Sequence, residues 1–257
     1  MIEGKAISYK AGDKYLVQNI SGEFLPGMLN LIIGPNGAGK STFIKLLSGQ
    51  LQPHAGTVLY NGKPLKSYPI AELARIRAVL SQNMELSFPL QAQEVVMMGR
   101  YPHFSGRPQR KDITACEEAM AFFGVSHFAA RDYTTLSGGE KQRVQFARVL
   151  AQIWYPVPGQ CRYLFLDEPL TFLDVRYQYE FMQKLLQLLQ SGDLVVTGVV
   201  HDLNLAAKYA ENITLLHNGS VLSAGSPGTV LDESYIKTAY GLQPDIILVQ
   251  GKKYIIF

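Results

Sequence analysis

Leu29-Asn30-Leu31-Ile32-Ile33-Gly34-Pro35-Asn36-Gly37-Ala38-Gly39-Lys40-Ser41-Thr42-Phe43-Ile44-Lys45-Leu46-Leu47 decides the fold of this chain. The apolar run at 29–33 reads as a short buried strand and residues 42–47 as a helix. Between them lies G-x-x-x-x-G-K-S. Its glycines permit positive φ, so successive N–H groups can point inward around a phosphate with no Cβ in the way. An anion held there sits at a helix N-terminus, where unpaired amides and the dipole favour negative charge. On this reading Gly34, Pro35, Asn36, Gly37, Ala38, Gly39, Lys40, Ser41 and Thr42 cradle a nucleotide. Lys40 reaches its β- and γ-phosphates, and the Ser41 hydroxyl ligates Mg²⁺. The competing reading is a plain glycine-rich turn between strand and helix, which leaves the coincidence of four constrained positions in that context to chance.

Cys161-Arg162-Tyr163-Leu164-Phe165-Leu166-Asp167-Glu168-Pro169 is an apolar run ending in two carboxylates. It reads as a central parallel strand delivering acids to the sheet edge where the phosphate loop opens. Asp167 is then a Mg²⁺ partner through water, and Glu168 a general base for an attacking water. Taken alone the run would be an ordinary strand-to-turn signal; the phosphate loop gives it chemical meaning.

Together these motifs resemble the nucleotide-binding subunit of an ATP-binding-cassette (ABC) transporter, and the match covers nearly the whole chain. Leu136-Ser137-Gly138-Gly139-Glu140-Lys141-Gln142-Arg143-Val144 resembles the family's signature sequence, Gln82 its glutamine loop, Leu173-Asp174 its aspartate loop and His201 its switch histidine. The resemblance implies ATP held between two copies of the chain. Each ATP lies on one copy's phosphate loop and against Ser137, Gly138, Gly139 and Glu140 of the other, with Asp174 nearby. Gln82 would touch Mg²⁺ and the attacking water, and His201 the γ-phosphate, with Glu168 as base.

Each of these residues also has a plainer reading. Gln82 could be a surface amide, Ser137 a simple helix N-cap and His201 a packing residue. Two glycines after Ser137 go beyond what an N-cap requires, and they open an expected helix over 139–153. Adenine should stack on an aromatic ring. Tyr9 is the choice, with Tyr15 as the neighbour that could replace it.

Within the family, His201-Asp202-Leu203-Asn204-Leu205-Ala206 and Met98-Gly99-Arg100-Tyr101-Pro102-His103 are similar to importers of metal chelates. The Pro-containing loop at 154–160 is similar to that of haem-importer ATPases. The resemblance implies import of an iron chelate, haem first, through an integral membrane permease fed by a periplasmic or surface substrate-binding protein. The chain would sit peripherally on the cytoplasmic face of the inner membrane. Siderophore or cobalamin import, or a soluble ABC-type ATPase, are the alternatives. Two departures stand out: the long 154–160 loop, and a bulky Phe172 where relatives carry small residues near the dimer seam.

With 257 residues, 47% apolar and 18% charged, the chain can bury an α/β core and is not disordered. A net charge of +3 and no long basic run argue against nucleic acid. No stretch approaches the ~20 apolar residues of a membrane span, and the N-terminal residues do not read as a signal peptide. Cys116 and Cys161 lack metal-ligand spacing and read as free thiols. The expected organisation is a single P-loop NTPase (RecA-like) α/β unit over 1–257. Residues 1–85 and 151–257 would give the nucleotide-binding core, with an N-terminal antiparallel region and a parallel sheet, and 86–150 an inserted helical subdomain. Val175, Tyr179, Met182, Leu185, Leu186 and Leu189 recur at helical spacing and predict a core-facing helix.

Overall fold

A computed structural model describes residues 1–81, 89–249 and 252–257. In chain order the first half contains β1 (Ile2–Ala11), β2 (Lys14–Phe24), β3 (Leu29–Ile33), α1 (Lys40–Leu47), β4 (Ala55–Tyr60), β5 (Lys63–Pro64), α2 (Ile70–Ile76) and β6 (Arg77–Leu80). Helices α3 (Ala92–Met97), α4 (Arg110–Phe122) and α5 (Gly138–Gln152) follow. The chain then returns through β7 (Arg162–Asp167), α6 (Val175–Leu189), β8 (Leu194–Val199), α7 (Leu203–Tyr209), β9 (Asn212–His217) and β10 (Ser220–Gly225). It ends with α8 (Pro227–Val230), α9 (Glu233–Tyr240) and the hairpin of β11 (Asp245–Val249) and β12 (Lys252–Ile256).

The central sheet has the order β10-β9-β3-β8-β7-β6 and is parallel except for edge strand β10. A separate antiparallel sheet, β2-β1-β4-β5, lies over it. Every residue of β3, β7 and β8 is buried, which is why these strands read as continuous apolar runs rather than alternating ones. Successive side chains still divide between faces. Leu31, Leu166 and Val196 enter the core shared with α5, α6 and α7. Ile32, Phe165 and Val195 enter the core shared with α1 and the antiparallel sheet. Helix α1 is therefore fixed between the two sheets by Phe43, Ile44, Leu46 and Leu47, each at most 1% exposed. Truncating one such side chain would cost about 2–5 kcal/mol.

Helices α3, α4 and α5 pack together on one side of the central sheet. Stacked Phe146 and Phe181, with ring centroids 4.0 Å apart, join α5 to α6. A buried ion pair, Arg100 to Asp112 at 3.0 Å, is completed by a hydrogen bond from Arg100 to the Ala151 carbonyl. That matters, since a buried charge is tolerated only when fully partnered. The 154–160 loop is anchored by the Trp154 indole, which donates to Glu118 at 2.6 Å, and by Arg162, which donates to the Trp154 carbonyl. Both cysteines are free, and burial pushes the Cys116 thiol up to about 12.

The core-facing reading of α6 needs correction. Met182, Leu185 and Leu189 are buried as expected, but Val175 and Tyr179 face solvent and Phe181 takes the inward position. Apolar spacing marks the stripe along the later turns, whereas Val175 opens the helix in solvent and the Tyr179 ring lies 6.0 Å from that of Tyr209, with Lys208 over it. Among the described residues no helix is long and apolar enough to cross a membrane.

Candidate active site

The phosphate loop is shaped from outside as well as by its own sequence. Gly34 and Gly39 adopt φ of 145° and 98°. A Cβ on Gly34 would lie 2.2 Å from the Leu216 carbonyl oxygen, and one on Gly39 2.3 Å from that of Leu16. Strands β9 and β2 thus wall the loop so closely that only glycine fits. The β9–β10 turn braces it: the Gly219 N–H donates to the Ala38 carbonyl at 3.1 Å, and the Gln18 N–H donates to the Gly219 carbonyl at 2.7 Å. Sequence reasoning passed over this support. Asn218-Gly219 was its signal, a dipeptide suited to tight hairpin turns.

Lys40 curls back over the loop and donates to the carbonyls of Gly34 (2.8 Å) and Pro35 (3.0 Å). Burial lowers its ammonium pKa, opposed by the nearby carboxylates of Glu168 and Asp167. Helix α1 begins at Gly39 with no side-chain cap, so its first amides are left for an anion to take.

Strand register explains why distant residues converge here. Ile32 and Asp167 both pair with Val199. The chain therefore leaves β3, β7 and β8 at nearly the same level, and Gly34, Glu168 and His201 emerge on one sheet edge. The Ser41 hydroxyl donates to Asp167 Oδ1 at 2.9 Å. Burial raises the Asp167 carboxyl pKa, and the Ser41 hydrogen bond opposes that rise. A hydroxyl and a carboxylate side by side suit a hard cation such as Mg²⁺, which takes few protein ligands and completes its shell with phosphate and water.

Glu168 has φ of 52°, an uncommon left-handed backbone for a residue with a side chain, and one that costs about 1–3 kcal/mol. It breaks the chain sharply out of β7. Its Oε1 lies 2.8 Å from His201 Nε2, and His201 remains 47% exposed toward the open side.

Ser137, Gly138, Gly139, Glu140 and Asp174 form a second group, joined to the first along residues 168–174. The Ser137 hydroxyl caps α5, accepting from the Glu140 N–H at 3.4 Å, and the Ser137 N–H donates to Glu140 Oε2 at 2.8 Å. The plain N-cap reading of Ser137 is thus realised, in spite of the two glycines. The Ser137 hydrogen bonds hold the Glu140 carboxyl below its usual range. Asp174 likewise caps α6, accepting from the Tyr177 N–H at 2.9 Å. Unlike the phosphate-loop glycines, Gly138 has no atom closer than 3.9 Å to an added Cβ, and Gly139 none closer than 3.4 Å.

Tyr9 pairs with Val17 across β1 and β2. Cross-strand partners share a face, and Val17 Cγ2 lies 3.6 Å from where a Gly39 Cβ would stand, so Tyr9 is on the phosphate-loop side. Its ring is 4.9 Å from that of His54, whereas the Tyr15 ring carries Lys10 Nζ at 4.3 Å. Gln82 lies outside the described residues.

The sequence profile of a family described as ABC transporter matches residues 17–171. The chain belongs to the ABC transporter family. This cassette is therefore an ATPase. It is 46% identical to the hemin import ATP-binding protein HmuV of Gloeobacter violaceus, over 95% of this chain and 88% of that one. It is 42% identical to the protein of the same name from Escherichia coli O157:H7, over 94% and 92%. Among solved structures, an inward-facing metal-chelate type ABC transporter, described as putative, shares the fold with a TM-score of 0.82 at 22% identity, over 99% of this chain and 96% of that one. A dimeric bacterial ABC transporter cassette matches with a TM-score of 0.75 at 26% identity, over 88% and 99%.

Proposed function

We propose that this cassette is the ATP-hydrolysing subunit of a haem importer, working as a head-to-tail dimer beneath a membrane permease. The observation that carries the chemistry is the convergence of Lys40, the Ser41–Asp167 pair and the Glu168–His201 pair on one sheet edge. The cargo rests on the relatives, whose names specify hemin import at 42–46% identity.

Triphosphate binds with its β-phosphate in the amide ring of residues 34–42, and Lys40 exchanges its carbonyl acceptors for β- and γ-phosphate oxygens. Tyr9 stacks on the adenine. Ser41 and Asp167 would hold Mg²⁺, which when bound would supply neutralisation of phosphate charge. Glu168 accepts a proton from a water whose oxygen attacks the γ-phosphorus, while the bond from that phosphorus to the ADP oxygen breaks. His201 holds the Glu168 carboxylate in place and donates toward the γ-phosphate. Gln82 would supply an amide to that water and to Mg²⁺.

Ser137, Gly138, Gly139 and Glu140 start the helix that faces the γ-phosphate bound on the other copy, with Asp174 beside it. Losing that phosphate removes the bridge, and the dimer reopens. The helices at 86–150 pass the closure to the permease, which receives cargo from a periplasmic or surface binding protein. The cassette itself stays on the cytoplasmic face of the inner membrane and binds no nucleic acid.

The test uses the chain carrying Glu168→Gln, extracted from native membranes in mild detergent with ATP and Mg²⁺. Co-purification of a multispanning permease, which moves haem into ATP-loaded vesicles when reconstituted with the unsubstituted chain, is the expected result. A permease that moves only siderophores or cobalamin would correct the cargo. Recovery with ribosomal or DNA-associated proteins in the soluble fraction would overturn the transporter reading.

A further inference from the structure

Phe172 has no part in the phosphate chemistry, yet its position is tightly specified. The turn that follows Glu168 is closed by the Thr171 hydroxyl donating to the Glu168 carbonyl at 3.1 Å and by the Leu173 N–H donating to the Leu170 carbonyl at 3.1 Å. Asp174 caps the next helix, and Gln178 donates to the Leu173 carbonyl at 3.0 Å. On this braced turn Leu173 points inward at 7% exposure while Phe172 is left 57% exposed and Val175, the first residue of α6, 70% exposed. Phe172 also lies against the start of α5: its Cβ is 3.9 Å from the place a Gly138 Cβ would occupy, and its carbonyl oxygen 3.4 Å from that of Gly139.

A large exposed ring on a braced backbone turn is a ready anchor, because binding buries apolar area with little backbone ordering to do. We propose that Phe172 is the apolar anchor of the interface between two copies of this chain, covered when they close on ATP. This rests on the clamp reading above. If Ser137 to Gly139 meet the other copy's nucleotide, a side chain touching those glycines from outside stands in the same interface. The cassette of known dimeric structure shows that relatives pair. Of its near chain neighbours Thr171 and Asp174 are polar and Val175 is apolar and exposed, so Phe172 supplies apolar attraction that phosphate does not. In a two-fold dimer it acts twice.

The test is the ATP-dependent dimer dissociation constant by sedimentation, in the Glu168→Gln chain with Mg²⁺. Adding Phe172→Ala should raise it at least about tenfold, since the truncation removes apolar burial from both copies. Phe172→Leu, which keeps the apolar surface, should restore most of that loss. Ile70→Ala, at another exposed apolar residue, should change nothing. ATP affinity of the single copy, measured well below the dimer constant, should stay the same in all variants. An unchanged dimer constant in Phe172→Ala, or a matching loss of single-copy ATP affinity, overturns the anchor. Absence of any ATP-dependent dimer in the Glu168→Gln parent would instead sink the clamp reading, and the anchor with it.

Discussion

The phosphate loop and the turn at Ser137 to Glu140 are both glycine-rich helix starts, yet the fold uses their glycines in opposite ways. At 34 and 39 glycine is demanded from within: positive φ, and neighbouring carbonyl oxygens 2.2 and 2.3 Å from any added Cβ. At 138 and 139 the fold leaves room, and the helix is already satisfied by its own capping box. A glycine the fold does not need is a glycine kept for something outside it. On the proposed reading, one half-site is built within the chain and the other awaits a second molecule.

Four substitutions probe that contrast. The largest effect should come from Glu168→Gln, in the self-contained half. General-base removal should slow single-turnover hydrolysis about 10²- to 10⁴-fold while ATP still binds, and wild-type turnover would remove Glu168 from the base role. Next, Gly39→Ala should destabilise the chain by about 2–3 kcal/mol in urea unfolding and abolish tight ATP binding, because the new methyl group meets the Leu16 carbonyl. A stable variant would show that the wall around the loop can give way. Ser137→Ala should cost about 1 kcal/mol, the value of an N-cap, by the same measurement. Smallest in stability is Gly138→Ala, expected to shift unfolding by less than about 1 kcal/mol. Its ATP-dependent dimer should nonetheless fail to form on sedimentation. If that dimer forms normally, the contrast between the two glycine pairs collapses.

Much of the site was legible because its signals are local. Strand 29–33, the loop and the following helix occupy consecutive residues, and the apolar run into Asp167-Glu168 announces a buried parallel strand by composition. The α6 stripe was misjudged at Val175 and Tyr179 because periodicity says which residues share a face, not which of them a neighbouring element covers. The N-cap role of Ser137 was one of its two sequence readings, whereas capping by Asp174 emerged only with the helix end in view. The Asn218-Gly219 brace escaped notice because nothing in the dipeptide tells which loop its hairpin will touch.

By itself, then, the sequence determined the chemistry available: a ring of amides, one ammonium, one hydroxyl, two adjacent carboxylates and a histidine after an apolar strand. Those choices follow from bonding needs within a few residues. Only the tertiary structure decided that Ser41 meets Asp167 and that His201 meets Glu168. It also decided that Phe172 stays in water beside Gly138. The reason is that parallel register between β3, β7 and β8 depends on pairings between segments far apart in the chain, and no local pattern encodes which strands become neighbours.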